Sequence, residues 1–166
     1  MSASPDRILA VVGPGDGASL DEIAAAERIA ELAARAGWIV SCGGRNAGVM
    51  AAAARGAARG GGVSLGLLPA TSSEEAAPEL AVVLATGLGE ARNVVLAGSC
   101  TAMVACGMNP GTASELSLAL KAGKSVVLIR PGRAAAEFFE TLAPGQVRIA
   151  GSADEAIALL TKSSSP

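Results

Sequence analysis

Residues 107–115, Gly-Met-Asn-Pro-Gly-Thr-Ala-Ser-Glu, contain the groups in the chain best suited to bind an anion. They lie between an apolar segment at 101–106, typical of a buried strand, and the strongest helical pattern in the sequence. A strand, a glycine loop and a helix in this order direct free backbone N–H groups and the positive end of the helix dipole at one place. The candidate ligand contacts in this stretch are Gly107, Asn109, Gly111, Thr112 and Glu115.

Two more glycine-rich stretches, 13–17 and 43–48, also follow apolar strand candidates. In an open parallel sheet such loops lie together outside the carboxyl ends of the strands, so the three can share one crevice. The first has the spacing Gly-x-Gly-x-Gly and lacks the full dinucleotide fingerprint, so a dinucleotide cofactor is not indicated. Tight turns are the alternative role of these loops. The candidate contacts they add are Gly13, Gly15, Gly43, Gly44, Arg45 and Asn46.

Arg92 and Asn93 follow a Gly-Leu-Gly turn near the predicted start of a helix. A guanidinium at the carboxyl edge of the sheet can clamp a phosphate with two hydrogen bonds, and Arg45 can do the same. A solvated surface position is the alternative for Arg92 and Asn93.

Thr112 and Glu115 each have a structural and a functional interpretation. Thr112 can present its hydroxyl and N–H group to a ligand, or it can be the N-cap of the helix. Glu115 completes a Thr-x-x-Glu capping box in the structural interpretation. In the functional one it accepts from a sugar hydroxyl or acts as a general acid-base group.

The composition excludes several classes of function. Thirteen basic against 15 acidic residues give a net charge of -2, and only 2% of residues are aromatic, so neither a basic field nor stacking platforms favour nucleic acid as a partner. The absence of histidine removes a Ser-His triad and the commonest metal ligand, so no metal site is predicted. Any acid-base chemistry must therefore use carboxylates.

Cysteine use and hydropathy indicate a cytoplasmic protein with no membrane partner. The three cysteines, Cys42, Cys100 and Cys106, lie in or beside apolar runs without C-x-x-C spacing, which favours reduced, buried thiols. No uninterrupted apolar stretch reaches 18 residues, and no signal-peptide pattern is present.

Strand and helix patterns alternate along the whole chain, which predicts an α/β fold. We expect a Rossmann-like three-layer α/β/α sandwich with a mostly parallel sheet of about seven strands. The 166 residues suit a single domain over 1–162, with 163–166 as a disordered tail. Ser19 is predicted to cap the first helix, and Ser152 with Glu155 the last one. Strands are predicted at 8–12, 38–42, 63–68, 80–85, 101–106, 125–129 and 146–150.

Three motifs together resemble the Lonely Guy superfamily of Rossmann-like proteins: Gly-Gly-Arg-Asn-Ala-Gly-Val-Met at 43–50, Gly-Glu-Ala-Arg-Asn at 89–93 and Gly-Thr-Ala-Ser-Glu at 111–115. Their forms are most similar to its molybdenum-cofactor-carrier-type branch. The resemblance implies a homodimer or homotetramer that binds a phosphorylated small molecule, with a nucleotide or the molybdenum cofactor as the bound species and no required cofactor. The cytokinin-activating enzymes of the superfamily hydrolyse the N-glycosidic bond of nucleoside 5'-monophosphates. By motif position their arginine and glutamate correspond to Arg92 and Glu115.

The sequence departs from the enzymes at the loop itself. Where they have Gly-Gly-x-Gly-Thr, this chain has Met108, Asn109 and Pro110 before Gly-Thr, so side chains and a proline replace backbone that should approach a phosphate. The second arginine of their Arg-x-x-Arg-Lys motif is also absent. These departures favour binding of a nucleotide or other phosphorylated small molecule, such as a molybdopterin-type cofactor. Phosphoribohydrolase activity, with Arg92 and Glu115 as the catalytic pair, is the alternative, and a scaffold whose loops are only turns is a third.

Overall fold

The structure, a computed structural model, describes residues 7–162. Its seven strands form one sheet in the order β4-β3-β2-β1-β5-β6-β7, and every neighbouring pair is parallel. The predicted tail, 163–166, lies outside the described residues. The strands are β1 (Ile8–Val12), β2 (Ile39–Cys42), β3 (Ser64–Leu68), β4 (Val82–Ala85), β5 (Ala102–Cys106), β6 (Ser125–Ile129) and β7 (Val147–Ala150). The helices are α1 (Leu20–Arg35), α2 (Gly48–Arg59), α3 (Arg92–Ser99), α4 (Pro110–Lys121), α5 (Arg133–Leu142) and α6 (Ala153–Lys162), with a 3₁₀ turn, Gly89–Ala91, directly before α3.

The sheet lies between two helical layers, each with its own apolar core. Along β1 the side chains alternate: Leu9 and Val11 face the core under α1, α2 and α6, whereas Ala10 and Val12 face the core under α3, α4 and α5. The strand β5 is buried along its whole length, as expected for a central parallel strand. The predicted Rossmann-like three-layer α/β/α sandwich is therefore confirmed.

Five strands, β2, β3, β4, β5 and β7, begin one or two residues later than the predicted segments. The β3 ladder begins at Ser64 and the β4 ladder at Val82, later than the predicted 63 and 80. Before β4 the backbone is held by other groups, since Leu80 N–H donates to the Ala77 carbonyl and Ala81 N–H donates to the Ser64 hydroxyl. The N–H groups of Leu80 and Ala81 are thus bound within a turn and to a side chain, and they do not extend the ladder.

The predicted helix caps at Ser19 and Ser152 are confirmed. Ser19 and Glu22 form a reciprocal capping box at α1. At α6 the Ser152 hydroxyl accepts from the Glu155 N–H group, while the Glu155 carboxylate accepts from the N–H group of Gly151. The starts of α1 and α6 are therefore encoded by residues within the first turn of each helix.

The strand order reverses between β1 and β5, which are neighbours in the sheet. After β1 the chain enters α1 on one face, and after β5 it enters α4 on the other. Loops that leave in opposite directions open a crevice at the carboxyl ends of the two strands, where open α/β sheets bind their ligands. Among the described residues, no helix combines the length and the apolar character needed to cross a bilayer.

Candidate functional site

A cavity of about 430 Å³ opens at this crevice. This volume lies within the range of small-molecule sites, roughly 300–1,000 Å³. All three predicted glycine loops contribute to it, together with the start of α3 and the first turn of α4. Its wall consists of Val12, Gly13, Gly15, Gly43, Arg45, Met50, Pro69, Glu75, Glu90, Arg92, Asn93, Asn109, Gly111, Thr112 and Glu115.

Most of the site residues predicted from the sequence meet at this cavity, and three lie outside its wall. Gly44 packs against the backbone of β3, and Asn46 is exposed and donates its N–H to the Glu75 carbonyl. Gly107 turns away from the cavity with φ +94°, a left-handed conformation that suits glycine, and a Cβ there would overlap the Glu22 carboxylate. The residues brought together as predicted are Gly13, Gly15, Gly43, Arg45, Arg92, Asn93, Asn109, Gly111, Thr112 and Glu115.

Sequence reasoning missed two carboxylates of the wall, Glu75 and Glu90. Glu75 lies in the stretch 70–78, whose threonine, serines and glutamates are typical of a surface connection. Ala77 N–H, however, donates to the Gly44 carbonyl and holds this stretch across the second glycine loop. Glu90 lies inside the Gly-Glu-Ala-Arg-Asn motif, two residues before Arg92, so the motif itself carried the signal. The cavity wall therefore contains two more carboxylates than we predicted from the sequence.

Arg92 lies at the floor of the cavity with only 12% of its side chain exposed. Its Nη1 is 3.8 Å from Oε1 of Glu115, and neither Nε nor Nη1 has a hydrogen-bond partner. The guanidinium lies against the Cα of Gly43, where a Cβ would come within 2.5 Å of Nη1. Buried donors are almost always paired in folded proteins, so these two nitrogens are groups that a ligand would satisfy.

Glu115 is buried beside Arg92, on the cavity side of α4. Burial raises the pKa of its carboxyl group to about 7; the Arg92 guanidinium opposes this rise and Glu90 adds to it. A carboxyl group with a pKa near neutrality can exchange a proton under physiological conditions. Glu115 is thus able to accept a hydrogen bond in one state and donate one in the other.

Asn93 adds a third unsatisfied group to the wall. It is 4% exposed, and its Oδ1 has no hydrogen-bond partner. Because Asn93 follows Arg92 directly at the start of α3, an acceptor and a set of donors stand next to each other in the cavity wall. A ligand with both an anionic group and N–H or O–H groups would satisfy both.

The first turn of α4 is capped by Asn109. Its Oδ1 accepts from the N–H group of Thr112 at 2.8 Å and from the Thr112 hydroxyl at 2.9 Å. The alternative in which Thr112 is the N-cap and forms a capping box with Glu115 is therefore wrong. Pro110 occupies the first helical position, where its missing N–H is least needed. Within the described chain this leaves the Gly111 N–H group as the free backbone donor of the turn.

Replacing Asn109 by alanine is expected to lower the free energy of unfolding by about 1 kcal/mol, because the helix loses its N-cap and buried Thr112 loses the acceptor of its hydroxyl. Urea unfolding followed by circular dichroism measures the change. Asn109→Asp is the matched control, since a carboxylate oxygen can accept the same two bonds. Equal stability of Asn109→Ala and wild type would show that the cap is dispensable.

Arg45 differs from Arg92 in exposure and in partners. Its side chain is 38% exposed and pairs with Asp16 at 3.6 Å and with Glu75 at 3.4 Å. Exposed ion pairs of this kind contribute little free energy and exchange readily. Arg45 is thus a rim residue whose charge is already largely compensated.

The three free cysteines are buried, as predicted, and Cys42 lies behind the cavity in β2. Burial raises the pKa of the Cys42 thiol to about 11, so the thiol is neutral at physiological pH. No group of three or more His, Cys, Asp or Glu side chains able to hold a metal ion occurs in residues 7–162. The chemistry of the cavity consequently depends on its guanidinium, carboxyl and amide groups.

The sequence profile of the SLOG cluster4 family matches residues 6–157. The chain belongs to the SLOG cluster4 family. An uncharacterized protein of Archaeoglobus fulgidus is 36% identical over 124 residues, which cover 74% of this chain and 80% of that relative. For this SLOG cluster4 protein, the predicted resemblance to the Lonely Guy superfamily and its carrier-type branch is confirmed by the family match together with two solved structures.

Both structures cover nearly the whole chain. The molybdenum cofactor binding protein of the phototrophic bacterium Rippkaea orientalis is 35% identical, with a TM-score of 0.94 over 98% of this chain and 100% of that one. The Moco carrier protein of Chlamydomonas reinhardtii is 38% identical, with a TM-score of 0.88 over 95% of this chain and 96% of that one. This member of the SLOG cluster4 family therefore shares the complete architecture of both proteins.

Proposed function

We propose that this protein binds the molybdenum cofactor, a phosphorylated pterin, as cargo in the cavity between the β1 and β5 loops. The observation that carries the proposal is the buried Arg92 guanidinium, whose Nε and Nη1 have no hydrogen-bond partner in a cavity of about 430 Å³. Similarity over nearly the full chain to proteins named for binding or carrying this cofactor supports the choice of ligand.

The residues of the cavity wall offer partners for both the phosphate and the pterin of this cofactor. Arg92 and the N–H group of Gly111, at the positive end of the α4 dipole, would hold the phosphate. Asn93 Oδ1 and the Glu90 carboxylate would accept hydrogen bonds from the N–H groups of the pterin. Arg45 at the rim would add positive charge after exchanging one of its carboxylate partners.

Anaerobic gel filtration of the protein mixed with molybdenum cofactor tests this proposal. We expect molybdenum and pterin to elute with the protein in a ratio near one per chain, and Arg92→Met to elute without them. The proposal fails if the wild-type protein elutes free of both at cofactor concentrations that load a known carrier protein.

A second candidate function, a nucleoside 5'-monophosphate phosphoribohydrolase, is supported by the contact of Arg92 with Glu115 at 3.8 Å. In this reaction Arg92 would anchor the monophosphate while Glu115 accepts a proton from the water that attacks the anomeric carbon. The N-glycosidic bond would break, and Glu115 would pass the proton to the departing base. The pKa of about 7 suits Glu115 to that role. Release of free base from a nucleoside monophosphate, lost in Glu115→Gln, would establish the activity. Binding without release would exclude it.

We also propose that the chain forms a homodimer or homotetramer through α3 and the edge strand β4. Val94 and Val95 on α3 are 56% and 43% exposed, and Val82 and Leu84 on β4 are exposed to a similar extent. Helix α3 packs against β3, the strand that pairs with β4, so both sets of side chains lie toward the same edge of the sheet. Exposed apolar side chains grouped in this way are typical of a subunit interface. A second copy of the chain would cover them and the open edge of β4.

Introducing a charge at Val95 is expected to break this assembly, because a carboxylate would have to be buried without a partner. Light scattering should give an oligomeric mass for wild type and a monomeric mass for Val95→Glu. Phe138→Glu is the matched control, since Phe138 is 57% exposed on α5 at the opposite end of the sheet. A monomeric wild-type protein would rule out the assembly.

We propose that the protein is located in the cytoplasm. We also propose that its ligand is a small molecule and not a nucleic acid. Cys42, Cys100 and Cys106 are free and buried, which suits a reducing compartment. Burial raises the pKa of each thiol, that of Cys106 to about 12, so the thiols behave as small core side chains rather than as nucleophiles.

A further inference from the structure

Arg92 and Glu115 lie within ion-pair distance but form no hydrogen bond with each other. The 3.8 Å between Nη1 and Oε1 is within Coulombic reach but too long for a hydrogen bond, and Nε of the same guanidinium is also unpaired. Buried ion pairs are stabilising only when hydrogen bonds satisfy their remaining donors and acceptors. The donors of Arg92 therefore remain available to a second anion.

We propose that Arg92 is exchanged between Glu115 and the phosphate group of the ligand, and that Glu115 takes up one proton as the phosphate binds. The inference rests on the proposed function and assigns the charge state in which the cavity holds its cargo. Above pH 7 Arg92 faces an ionised Glu115 in the free protein. In the complex it faces a phosphate dianion and a neutral carboxylic acid. The balance is one ligand and one proton bound together.

Two arginines among the described residues line the cavity, and Arg92 is the one with buried donors that lack hydrogen-bond partners. From the second glycine loop Arg45 reaches the cavity, but Asp16 and Glu75 already pair with it. From the 3₁₀ turn Glu90 adds a negative charge, and from β2 the Cys42 thiol is neutral. Arg92 is thus the cation left for the phosphate, and a dianion beside an ionised Glu115 would place two anions on one guanidinium in a largely buried site.

The sign of the pH dependence follows from the protonation of Glu115 in the free protein. The pKa of Glu115 is raised to about 7, so above pH 7 the carboxyl group is ionised and must acquire a proton when ligand binds. The dissociation constant should then rise by about tenfold for each pH unit above 7. Below pH 7 the proton is already present, and the dissociation constant should be constant until the phosphate itself becomes protonated near pH 6.

Isothermal titration calorimetry with guanosine 5'-monophosphate tests the inference. This probe carries a phosphate monoester and the amino-oxo edge that pterins share. Titrations at pH 6.5, 7.5 and 8.5, each in two buffers of different ionisation enthalpy, give both the affinity and the number of protons taken up. For wild type we expect uptake approaching one proton at pH 8.5 and a dissociation constant more than tenfold above that at pH 6.5.

The variant Glu115→Gln places a permanently neutral group at the same position. It should bind the probe with no proton uptake and with equal affinity at all three pH values. Glu31→Gln is the matched control, because Glu31 is also a buried carboxylate but pairs with Arg28 and Arg35 on α1, outside the cavity. It should keep the wild-type pH dependence.

Three outcomes would overturn the inference: wild-type affinity that does not change between pH 7.5 and 8.5, proton uptake that persists in Glu115→Gln, or no binding of the probe at pH 6.5. The co-elution of molybdenum cofactor with the protein is measured separately. A protein that carries the cofactor but binds the probe without proton uptake would therefore retain the proposed function and lose only this inference.

Discussion

Arg92→Met is expected to weaken ligand binding by at least about 100-fold and to leave the ligand-free protein at least as stable as wild type at pH 6. The loss of affinity follows from the removal of two charge-assisted hydrogen bonds to a phosphate, each contributing about 1.5–3 kcal/mol. Methionine is unbranched, apolar and flexible, so it can fill the space of the aliphatic part of the arginine side chain without introducing an unpaired donor. Binding and folding should thus respond in opposite directions.

The expected gain in stability follows from the state of the guanidinium in the free protein. Two of its nitrogens are buried without a hydrogen-bond partner, and each unsatisfied donor destabilises the fold by about 1–3 kcal/mol. At pH 6 the Glu115 carboxyl group, whose pKa is about 7, is mostly protonated, so removal of its cation leaves no buried unpaired charge. A residue that destabilises the free protein and stabilises the complex is typical of a binding site.

Two measurements check this prediction: titration calorimetry with guanosine 5'-monophosphate, and urea unfolding of the free protein at pH 6. Arg45→Met is the comparison, because Arg45 is 38% exposed and already paired. It should weaken binding by only several-fold. If Arg92→Met instead lost more than 2 kcal/mol of stability and kept its affinity, Arg92 would be a structural residue.

The sequence predicted the fold and most of the residues that meet at the cavity, because both depend on local patterns. The predicted strands at 8–12 and 125–129 coincide with β1 and β6, since each is a mainly apolar run followed by a turn that contains glycine and proline. The motif positions of Arg92 and Glu115 were sufficient to bring the two side chains to one cavity, because both follow carboxyl ends of parallel strands.

Other features could not be read from the sequence because several local patterns compete or because the contact is distant. At the start of α4 both Asn109 and Thr112 are good caps, and the structure selects Asn109 with Pro110 at the first helical position. The direction of Gly107 depends on a single backbone torsion, which turns it toward Glu22 and away from the cavity. Glu75 reaches the wall through a contact between segments far apart in the chain.

Gly43→Ala is expected to weaken binding by more than tenfold at a cost of only about 1 kcal/mol in stability. A Cβ at this position would lie 2.5 Å from Nη1 of Arg92 and 2.6 Å from Sδ of Met50. Both atoms are near the ends of flexible side chains, so they can move and the fold can adapt. The adaptation removes the guanidinium from its place against Gly43, and the donors no longer point to the site where the phosphate would bind.

Gly13→Ala makes the same chemical change on the neighbouring loop and should have the opposite outcome. Its Cβ would overlap the backbone carbonyl oxygen of Cys106 and approach Val49 Cγ2 to 2.7 Å. Neither the end of a buried central strand nor a branched core side chain can yield easily, so we expect a loss of about 1–3 kcal/mol or more. Urea unfolding and titration with guanosine 5'-monophosphate separate the two variants: the first affects mainly affinity, the second mainly stability.

Gly43 does not have a positive φ angle, so its backbone conformation is one that alanine adopts freely. Glycine is therefore required at position 43 for lack of space and not for its backbone conformation. The space that a Cβ would need is filled by the Arg92 guanidinium and the Met50 side chain. A Gly43→Ala protein with unchanged affinity would show that the ligand does not need Arg92 in this position. The double variant Gly43→Ala with Met50→Ala frees space beside the displaced guanidinium. If it regains affinity, the loss in Gly43→Ala was caused by the displacement of Arg92 and by nothing else.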